Sequence, residues 1–282
     1  MPELPEVEIT ARLLDAALAG AVVESVLAPG INTLKTFTPP LSSLDGRTLQ
    51  GIARRGKQFI VTFDGGLFLL IHLMSAGRLQ LYEVRAGPRD RTSRLLVRLA
   101  GGRELRLREF GTKQSAWAKL LNAPALEHDE GLASLGPEAW PGPVDDLGER
   151  LAAPRPLYAA LRDQHVIAGI GRSWVDEILW AAQISPFKRG TDLAPAELAA
   201  LSDAIASTLG GAVAHYEAAL ALPLPDKLPL PLRIHRHAGE PCPRCGVKLE
   251  SVSFEDYLMA YCPTCQTDGR ILKDRRLSRL LK

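Results

Sequence analysis

The pattern of hydrophobic and polar residues changes its period near residue 20. Before that point apolar residues recur at helical spacing, on one face formed by Ile9, Leu13, Leu14, Ala17 and Leu18. Pro5 and Glu6 are typical of a first helical turn, and Gly20 is typical of a helix end. The pattern therefore predicts an amphipathic helix that begins near Pro5 and ends before Gly20.

From residue 21 to residue 119 the period becomes that of β-strands. Apolar runs, alternating or continuous, occur at 21–27, 56–63, 67–73, 77–82, 94–99 and 103–110, with turns such as Asp64-Gly65-Gly66 between them. Several short strands separated by such turns are typical of a sandwich or a barrel. We predict a β-sandwich that begins with one helix.

The rest of the chain has a different organisation. Four prolines in residues 122–152 indicate a linker with short helices, residues 155–221 show helical periodicity, and all cysteines lie between positions 242 and 265. We therefore predict an α+β protein with four parts. They are an N-terminal β-sandwich (1–121), a linker (122–152), a helical domain (153–232), and a cysteine finger with a basic tail (233–282).

Composition indicates a soluble protein. The chain has 282 residues, 46% hydrophobic and 23% charged, with a mean hydropathy of zero. Its longest apolar run, residues 67–74, is too short to span a bilayer. Glu3, Glu6 and Glu8 stand where a secretory signal needs basic and apolar residues. We expect a cytosolic protein that contacts no membrane.

The net charge of +2 excludes the strongly basic profile of many nucleic-acid-binding proteins, but the charges are segregated. Residues 85–119 hold ten Lys and Arg against three Asp and Glu, and residues 233–282 hold ten against six. Residues 120–232 hold seven against fifteen. The two basic segments would form a basic face if the fold brings them together. Solvated charge without a partner is the alternative.

The cysteines form two Cys-x-x-Cys pairs, Cys242 with Cys245 and Cys262 with Cys265. This spacing predicts a zinc ribbon with two short strands between the pairs. The ion would be structural, because four thiolates leave no coordination position open for a substrate. Nearby basic residues favour nucleic acid as the ligand of this finger, and a ribbon that only stabilises the fold is the alternative.

The N-terminus offers unusual chemistry. Removal of Met1 would expose the secondary amine of Pro2, which is nucleophilic when neutral and can form an iminium with a sugar aldehyde carbon. Glu3 stands next to it as a possible acid or base.

The segment Pro2-Glu3-Leu4-Pro5-Glu6-Val7-Glu8 resembles the N-terminal signature of the formamidopyrimidine-DNA glycosylases, a family that includes the endonuclease VIII-like enzymes. Further motifs resemble those of the family in the same order along most of the chain. They are Arg54-Arg55-Gly56-Lys57, Arg108-Glu109-Phe110-Gly111, residues 163–177 and residues 239–266. The resemblance implies a helix–two-turns–helix element in the helical domain and a β-hairpin zinc finger.

The resemblance also implies a bifunctional DNA glycosylase and AP lyase of base-excision repair. Its partner would be double-stranded DNA with oxidised bases or abasic sites, and we expect a monomer. The damaged nucleotide must be flipped out before its C1′ can be reached. Pro2 would attack C1′, Glu3 would protonate the sugar, and Lys57 would grip the adjacent phosphate and donate a proton during elimination. Glu6 would lie near the amine or only satisfy the helix dipole.

The same resemblance assigns DNA contacts. Arg108 would face the orphaned base and Phe110 would wedge into the stack. Gly169 and Gly171 would let the backbone approach a phosphate at the start of the next helix, which is compatible with a tight turn.

Three positions depart from the family pattern. Met74 is displaced by one residue from the usual wedge position, so it is as well explained as a core residue. Arg172 replaces an asparagine, and Pro263 replaces an arginine that grips phosphate. The role of that arginine would pass to Arg270, or to Arg275 and Arg276, or be lost. The sequence therefore leaves open whether a second, δ-elimination follows the first.

We rank oxidised purines (8-oxoguanine and formamidopyrimidines) first as substrates, because Arg108 and Phe110 are present. Oxidised pyrimidines rank second. Arg172 and Pro263 motivate an alternative, a relative that binds damaged DNA without cleaving it. A zinc-ribbon transcription or RNA factor does not account for the N-terminal segment.

Overall fold

The computed structural model describes residues 2–87, 90–110, 114–254 and 257–272. The chain forms two compact units, Met1–Leu135 with Val213–Pro229, and Gly136–Ala212 with Leu230–Lys282. These two units do not test the four predicted domains, so the predicted boundaries at residues 121, 152 and 232 stay a prediction. Among the described residues, no helix combines the length and hydrophobicity needed to cross a bilayer.

Helix α1 (Leu4–Leu18) opens the first unit, with Glu3 as its N-cap residue. The Glu6 side chain accepts a hydrogen bond from the Glu3 N–H, which satisfies one backbone donor at the helix start. Val7, Leu14 and Leu18 are completely buried on the inner face. The predicted helix is confirmed, and it begins one residue earlier than Pro5.

In the described part of the first unit, eight strands form two antiparallel four-stranded sheets, one in the order β1-β6-β7-β5 and the other in the order β2-β3-β4-β8. The strands are β1 (Val23–Leu27), β2 (Leu49–Arg55), β3 (Gln58–Phe63), β4 (Leu67–His72), β5 (Gly77–Tyr82), β6 (Ser93–Leu99), β7 (Glu104–Glu109) and β8 (Trp117–Asn122). Side chains from both sheets and from α1 form one hydrophobic core, with Phe59, Leu69 and Leu107 fully buried in it. The predicted β-sandwich is confirmed.

Strands β2 and β8 lie outside the predicted runs. The pairing of β2 with β3 shifts register between Leu49 and Gly51, which interrupts the alternation of buried and exposed residues along β2. Strand β8 begins at Trp117, just before the end of the segment in which strands were predicted. Both strands complete the sheet that carries Lys57 at its β2–β3 turn.

Short helices α2 (Ala123–Glu127) and α3 (Glu130–Ala133) follow in the first unit. The second unit contains α4 (Leu147–Leu151), α5 (Leu157–Ala160), α6 (Arg172–Ala181), α7 (Pro195–Ala219, up to Ala212), β9 (Glu250–Phe254), β10 (Tyr257–Tyr261) and α8 (Pro263–Thr267). Strands β9 and β10 pair antiparallel, as predicted for the finger. A small hydrophobic core joins residues of α6 and of the finger segment: Trp180, Ile234, Cys242, Leu249 and Cys262.

Candidate functional site

The first two residues of the N-terminal signature lie at the start of α1. Pro2 is partly buried, and Glu3 is only 2% exposed although its side chain is polar. The Glu3 N–H donates to Glu6 Oε2 at 2.8 Å, so the peptide that joins residues 2 and 3 has a fixed orientation. A buried acid therefore stands beside the residue whose nitrogen would become the terminal amine, as acid–base chemistry at that nitrogen requires.

Lys57 lies in the two-residue turn between β2 and β3, where Arg55 pairs with Gln58. Gly56 has a φ of 57°, the left-handed conformation that this type of hairpin turn needs and that glycine adopts without strain. The Lys57 side chain is 8% exposed. The turn therefore presents a largely buried cation rather than a solvated one.

Arg54 connects this turn to α1, a role that the motif alone did not indicate. Its Nε donates to Glu8 Oε2 at 2.8 Å, and its Nη1 donates to the Gly56 carbonyl at 3.0 Å. The side chain of Arg54 is 4% exposed. The ion pair therefore fixes the Lys57 turn relative to helix α1, which begins at Leu4.

His72 is a further residue of this region that was not assigned a role from the sequence. Burial first, and then the positive charge of Lys57, lower the pKa of His72 to about 4. Its Nδ1 accepts the Met74 N–H at 2.9 Å, and its ring stacks on Trp117 with centroids 5.6 Å apart. A neutral imidazole that accepts at Nδ1 carries its proton on Nε2.

Met74 lies outside the strands. Strand β4 ends at His72 and β5 begins at Gly77, so Met74 belongs to the turn between them, with a φ of 50° and partial burial. A core position, one of the two alternatives for Met74, is therefore not what the structure has. Gly77 follows this turn at the start of β5. Another residue would place its Cβ 2.4 Å from the Leu73 carbonyl oxygen, which is too close, so this position needs glycine.

Arg108 lies near the end of β7 in a cradle of polar side chains. Its Nη1 donates to the Tyr82 hydroxyl at 2.5 Å and to Asp226 Oδ1 at 3.2 Å, and its Nε donates to Thr92 Oγ1 at 3.0 Å. The guanidinium also lies 4.5 Å from the centre of the Phe110 ring. Arg108 is thus held from several sides, while the Phe110 side chain is 45% exposed.

The Glu109 carboxylate is buried and bonds to the backbone of two later residues. This side chain is 3% exposed, and its Oε1 accepts the N–H groups of Ser115 and Ala116 at 2.8 and 3.0 Å. These bonds join the two ends of a loop whose residues 111–113 lie outside the described part of the chain. A buried carboxylate therefore links the end of β7 to residues 115 and 116.

In the second unit, Gly169 and Gly171 precede α6. Gly169 has a φ of 105°, and its N–H donates to Gln164 Oε1 at 2.9 Å. Gly171 is the extended N-cap residue of α6, and Arg172 is the first helical residue. Two turns therefore separate α5 from α6, and the backbone N–H groups of a helix start follow the glycines.

Four cysteine Sγ atoms cluster within 4.8 Å of one another, including Cys242 to Cys265 at 4.0 Å and Cys245 to Cys262 at 3.5 Å. Four thiolates at the zinc–sulfur distance of about 2.3 Å lie about 3.8 Å apart in a tetrahedron, which these distances approach. Burial raises the pKa of the Cys242 thiol, but N–H donors from Cys245, Arg244 and Trp180 lower it to about 6. The donor set therefore fits a tetrahedral zinc ion.

Known families match this arrangement in three consecutive parts. The formamidopyrimidine-DNA glycosylase N-terminal domain matches residues 1–112, the H2TH domain of the same enzymes matches residues 135–221, and the zinc finger found in FPG and IleRS matches residues 239–267. A formamidopyrimidine-DNA glycosylase from Roseiflexus is 32% identical over 275 residues, covering 94% of this chain and all of the relative. The chain belongs to the formamidopyrimidine-DNA glycosylase family.

A solved structure from the glycosylase family and a second sequence relative support this assignment. A crystal structure of wild-type Lactococcus lactis Fpg (MutM) with DNA containing N7-benzyl-Fapy-dG superposes with a TM-score of 0.84 at 27% identity, over 94% of this chain and all of that one. A Mycobacterium tuberculosis protein described as formamidopyrimidine-DNA glycosylase-like is 45% identical over 150 residues, which is 53% of this chain and 95% of the relative. The family resemblance and the α+β fold predicted from the sequence are confirmed.

The zinc-finger match and the four close Sγ atoms fit the one structural zinc ion expected from the sequence, and its ligands would be Cys242, Cys245, Cys262 and Cys265. Pro263 begins helix α8, directly after the third cysteine. The Arg270 side chain is 81% exposed, with its Nη2 3.8 Å from Asp268 Oδ2. Arg275 and Arg276 lie outside the described residues, so the residue that replaces the missing finger arginine stays a prediction.

The acids in the glycosylase motif before the finger have structural partners. Glu177 Oε1 accepts the N–H groups of Arg233, Ile234 and His235 at 2.9 to 3.1 Å. Asp176 Oδ2 accepts the Ala260 N–H at 3.1 Å and lies 2.7 Å from His235 Nδ1. Both acids therefore join α6 to the finger segment.

Proposed function

We propose that this chain is a bifunctional glycosylase and AP lyase that excises oxidised purines from double-stranded DNA and then cuts the strand. The observation that carries the proposal is the buried Glu3 beside Pro2, with the peptide between them fixed by Glu6 at 2.8 Å. Relatives in the family are named formamidopyrimidine-DNA glycosylases, and a solved neighbour is bound to DNA with carbocyclic 8-oxo-G. Oxidised pyrimidines are the second substrate class.

The first step is base excision. After removal of Met1, the neutral Pro2 nitrogen forms a bond to C1′ of the flipped deoxyribose, and the bond from C1′ to the damaged base breaks. Glu3 donates a proton to the sugar ring oxygen, which opens the ring and leaves an iminium between Pro2 and C1′. The base leaves with the electron pair of the broken bond and takes up the proton that the Pro2 nitrogen loses when the iminium forms.

The second step is strand cleavage. The iminium acidifies the hydrogens on C2′, and loss of one of them expels the 3′ phosphate by β-elimination. Lys57 grips the phosphate next to the lesion and supplies a proton in this step, which its burial in the β2–β3 turn supports. Water then releases the product and regenerates the Pro2 amine.

The remaining interactions hold the DNA. Arg108 faces the orphaned base, Phe110 wedges into the stack, and the backbone after Gly169 and Gly171 binds a phosphate with Arg172 beside it. The exposed ring of Phe110 and the left-handed Gly169 support these roles. Arg270, exposed at the finger, is the described residue that we expect to bind phosphate in place of the arginine that Pro263 replaces.

Borohydride trapping tests the proposed function. The chain, with Met1 removal verified by intact mass, is incubated with duplexes containing 8-oxoguanine, an oxidised pyrimidine or an abasic site, each opposite all four bases. We expect a one-to-one covalent adduct that peptide mapping places on residue 2, with fastest excision from 8-oxoguanine. Tight, salt-dependent binding without any adduct would instead identify a damaged-DNA-binding protein.

The Glu3→Gln variant is expected to separate the two activities. A glutamine cannot donate the proton that opens the sugar ring, so excision of 8-oxoguanine should slow at least about 100-fold. Adduct formation at an abasic site, where no base must leave, should stay within about fivefold of the unmodified rate. Single-turnover assays on both substrates measure this, with Glu83→Gln as the control at an exposed acid of the same unit. Equal losses on both substrates would contradict a role as proton donor.

The Asp226→Asn variant is expected to bind abasic-site DNA more tightly. Asp226, 60% exposed, holds Arg108 at 3.2 Å and therefore competes with the orphaned base for that cation. Its neutralisation should raise affinity about threefold to tenfold. Glu83→Gln removes the same charge without touching Arg108, so it should change affinity less. In the Arg108→Ala background the effect of Asp226→Asn should disappear, and its persistence would show a general charge effect.

A further inference from the structure

The Glu6 carboxylate is buried, and both of its oxygens accept hydrogen bonds. Its Oε2 accepts the Glu3 N–H at 2.8 Å, and its Oε1 accepts the Tyr216 hydroxyl at 2.9 Å. Glu6 is 4% exposed and Tyr216 is completely buried. Tyr216 belongs to the segment Val213–Pro229, which is part of the same compact unit as α1. Tyr216, which is 210 residues away in sequence, therefore contacts the start of α1 through the Glu6 carboxylate.

The chemistry of this pair suits a fixed support. Burial, and then the negative charge of Glu6, raise the pKa of Tyr216 above its ordinary value, so the phenol stays neutral and remains a donor. Glu6 in turn keeps both carboxylate oxygens engaged, and Thr10 Oγ1 donates to the Glu6 carbonyl at 2.8 Å. Glu6 is thus restrained at the end of its side chain and along its backbone.

The restraint extends to residues 2 and 3. The Glu3 nitrogen that donates to Glu6 belongs to the peptide that follows Pro2, and only the Cα and carbonyl carbon of Pro2 separate it from the Pro2 nitrogen. The Glu3 carbonyl is held as well, since it accepts the Val7 N–H at 3.0 Å. A shift of Glu6 would therefore move both Pro2 and Glu3.

We propose that Tyr216 is a positioning residue for the reactive N-terminus: it orients Glu6, and Glu6 orients the Pro2–Glu3 peptide. This inference rests on the proposed function, because it concerns the geometry of the amine that attacks C1′. A small misplacement of a reacting group lowers a rate steeply without changing the group's chemistry. Tyr216 itself need not touch DNA for this effect.

The Tyr216→Phe variant tests the inference in single-turnover borohydride trapping with abasic-site DNA. We expect the trapping rate to fall about tenfold while the fraction of enzyme that finally reacts and the affinity for DNA stay unchanged. A merely structural tyrosine would lower the reactive fraction or the melting temperature instead, and that result would overturn the inference. Tyr158→Phe, at another buried tyrosine, is the matched control and should trap at the unmodified rate.

Glu6→Gln tests the same link from the other partner, so the inference does not depend on one variant. If Tyr216 acts through Glu6, the double variant should be no slower than Glu6→Gln alone. If the two losses in trapping rate multiply in the double variant, Tyr216 does not act through Glu6 and the inference is overturned. Full-rate trapping by Tyr216→Phe would overturn this inference alone, whereas no adduct from the unmodified chain would overturn the proposed function and this inference together.

Discussion

A chain that keeps Met1 is expected to form no borohydride-trapped adduct with abasic-site DNA. The nitrogen of Pro2 is then part of an amide, whose lone pair is delocalised and does not attack a carbon centre. Once Met1 is removed, the same nitrogen is a secondary amine whose pKa is lower than that of a lysine side chain, so more of it is neutral and nucleophilic near pH 7. Intact mass separates the two forms, and the adduct yield of each is measured.

The Pro2→Gly variant refines this test. Glycine still offers an amine after removal of Met1, but it lacks the ring that fixes the direction of the nitrogen lone pair beside the buried Glu3. We expect trapping to slow at least about 100-fold, with DNA affinity preserved, because the substitution disturbs the orientation of the amine and leaves the DNA-binding side chains in place. For the first test, a chain that keeps Met1 and still forms the adduct in full yield would contradict the mechanism. The nucleophile would then be a lysine side chain and not the Pro2 nitrogen.

The finger was predictable from sequence because its determinants are local. Two Cys-x-x-Cys pairs and the intervening apolar runs predict the ligands and the two strands within the 24 residues from Cys242 to Cys265, and the structure has β9 and β10 between those pairs. The start of α1 was predictable for the same reason, since Pro5, Glu6 and the following apolar face are adjacent in sequence.

The hydrogen bonds and ion pairs that hold the site residues in place were not predictable, because they join residues that are far apart in sequence. Tyr216 and Glu6 are 210 residues apart, and Arg108 and Asp226 are 118 apart. Arg54 was part of a recognised motif, but its partner Glu8 follows from the packing of α1 on β2 and not from the motif. No local pattern marks a residue whose role is set by a distant partner.

Two local errors have local causes. The bulge between Leu49 and Gly51 hides the period of β2, and the left-handed Met74 ends the alternation after His72, so a strand-face argument does not apply there. The net charge of +2 was also misleading, because taken alone it argues against a nucleic-acid partner. Arg108 lies in the basic segment 85–119 and the finger in the segment 233–282, so the distribution of charge fits a DNA partner while the total does not.

Loss of zinc is expected to unfold the finger. The hydrophobic core of the finger segment is small, and two of its members, Cys242 and Cys262, are predicted zinc ligands. Metal binding in such modules contributes about 10–16 kcal/mol of apparent free energy, more than so small a core provides. The Cys245→Ala variant isolates this effect, because Cys245 is exposed and its truncation leaves no cavity in the core.

For Cys245→Ala we expect zinc content to fall from one to below about 0.1 per chain, with rapid amide exchange in β9 and β10. Exchange in β6 and β7 should stay slow, because their core contains no cysteine. DNA affinity should fall at least about tenfold, because an unfolded finger no longer holds its basic side chains against phosphate. Cys245→His supplies a different nitrogen ligand and should retain zinc as a Cys₃His site. Full zinc content in Cys245→Ala would require a fourth ligand other than Cys245 and would contradict the Cys₄ assignment.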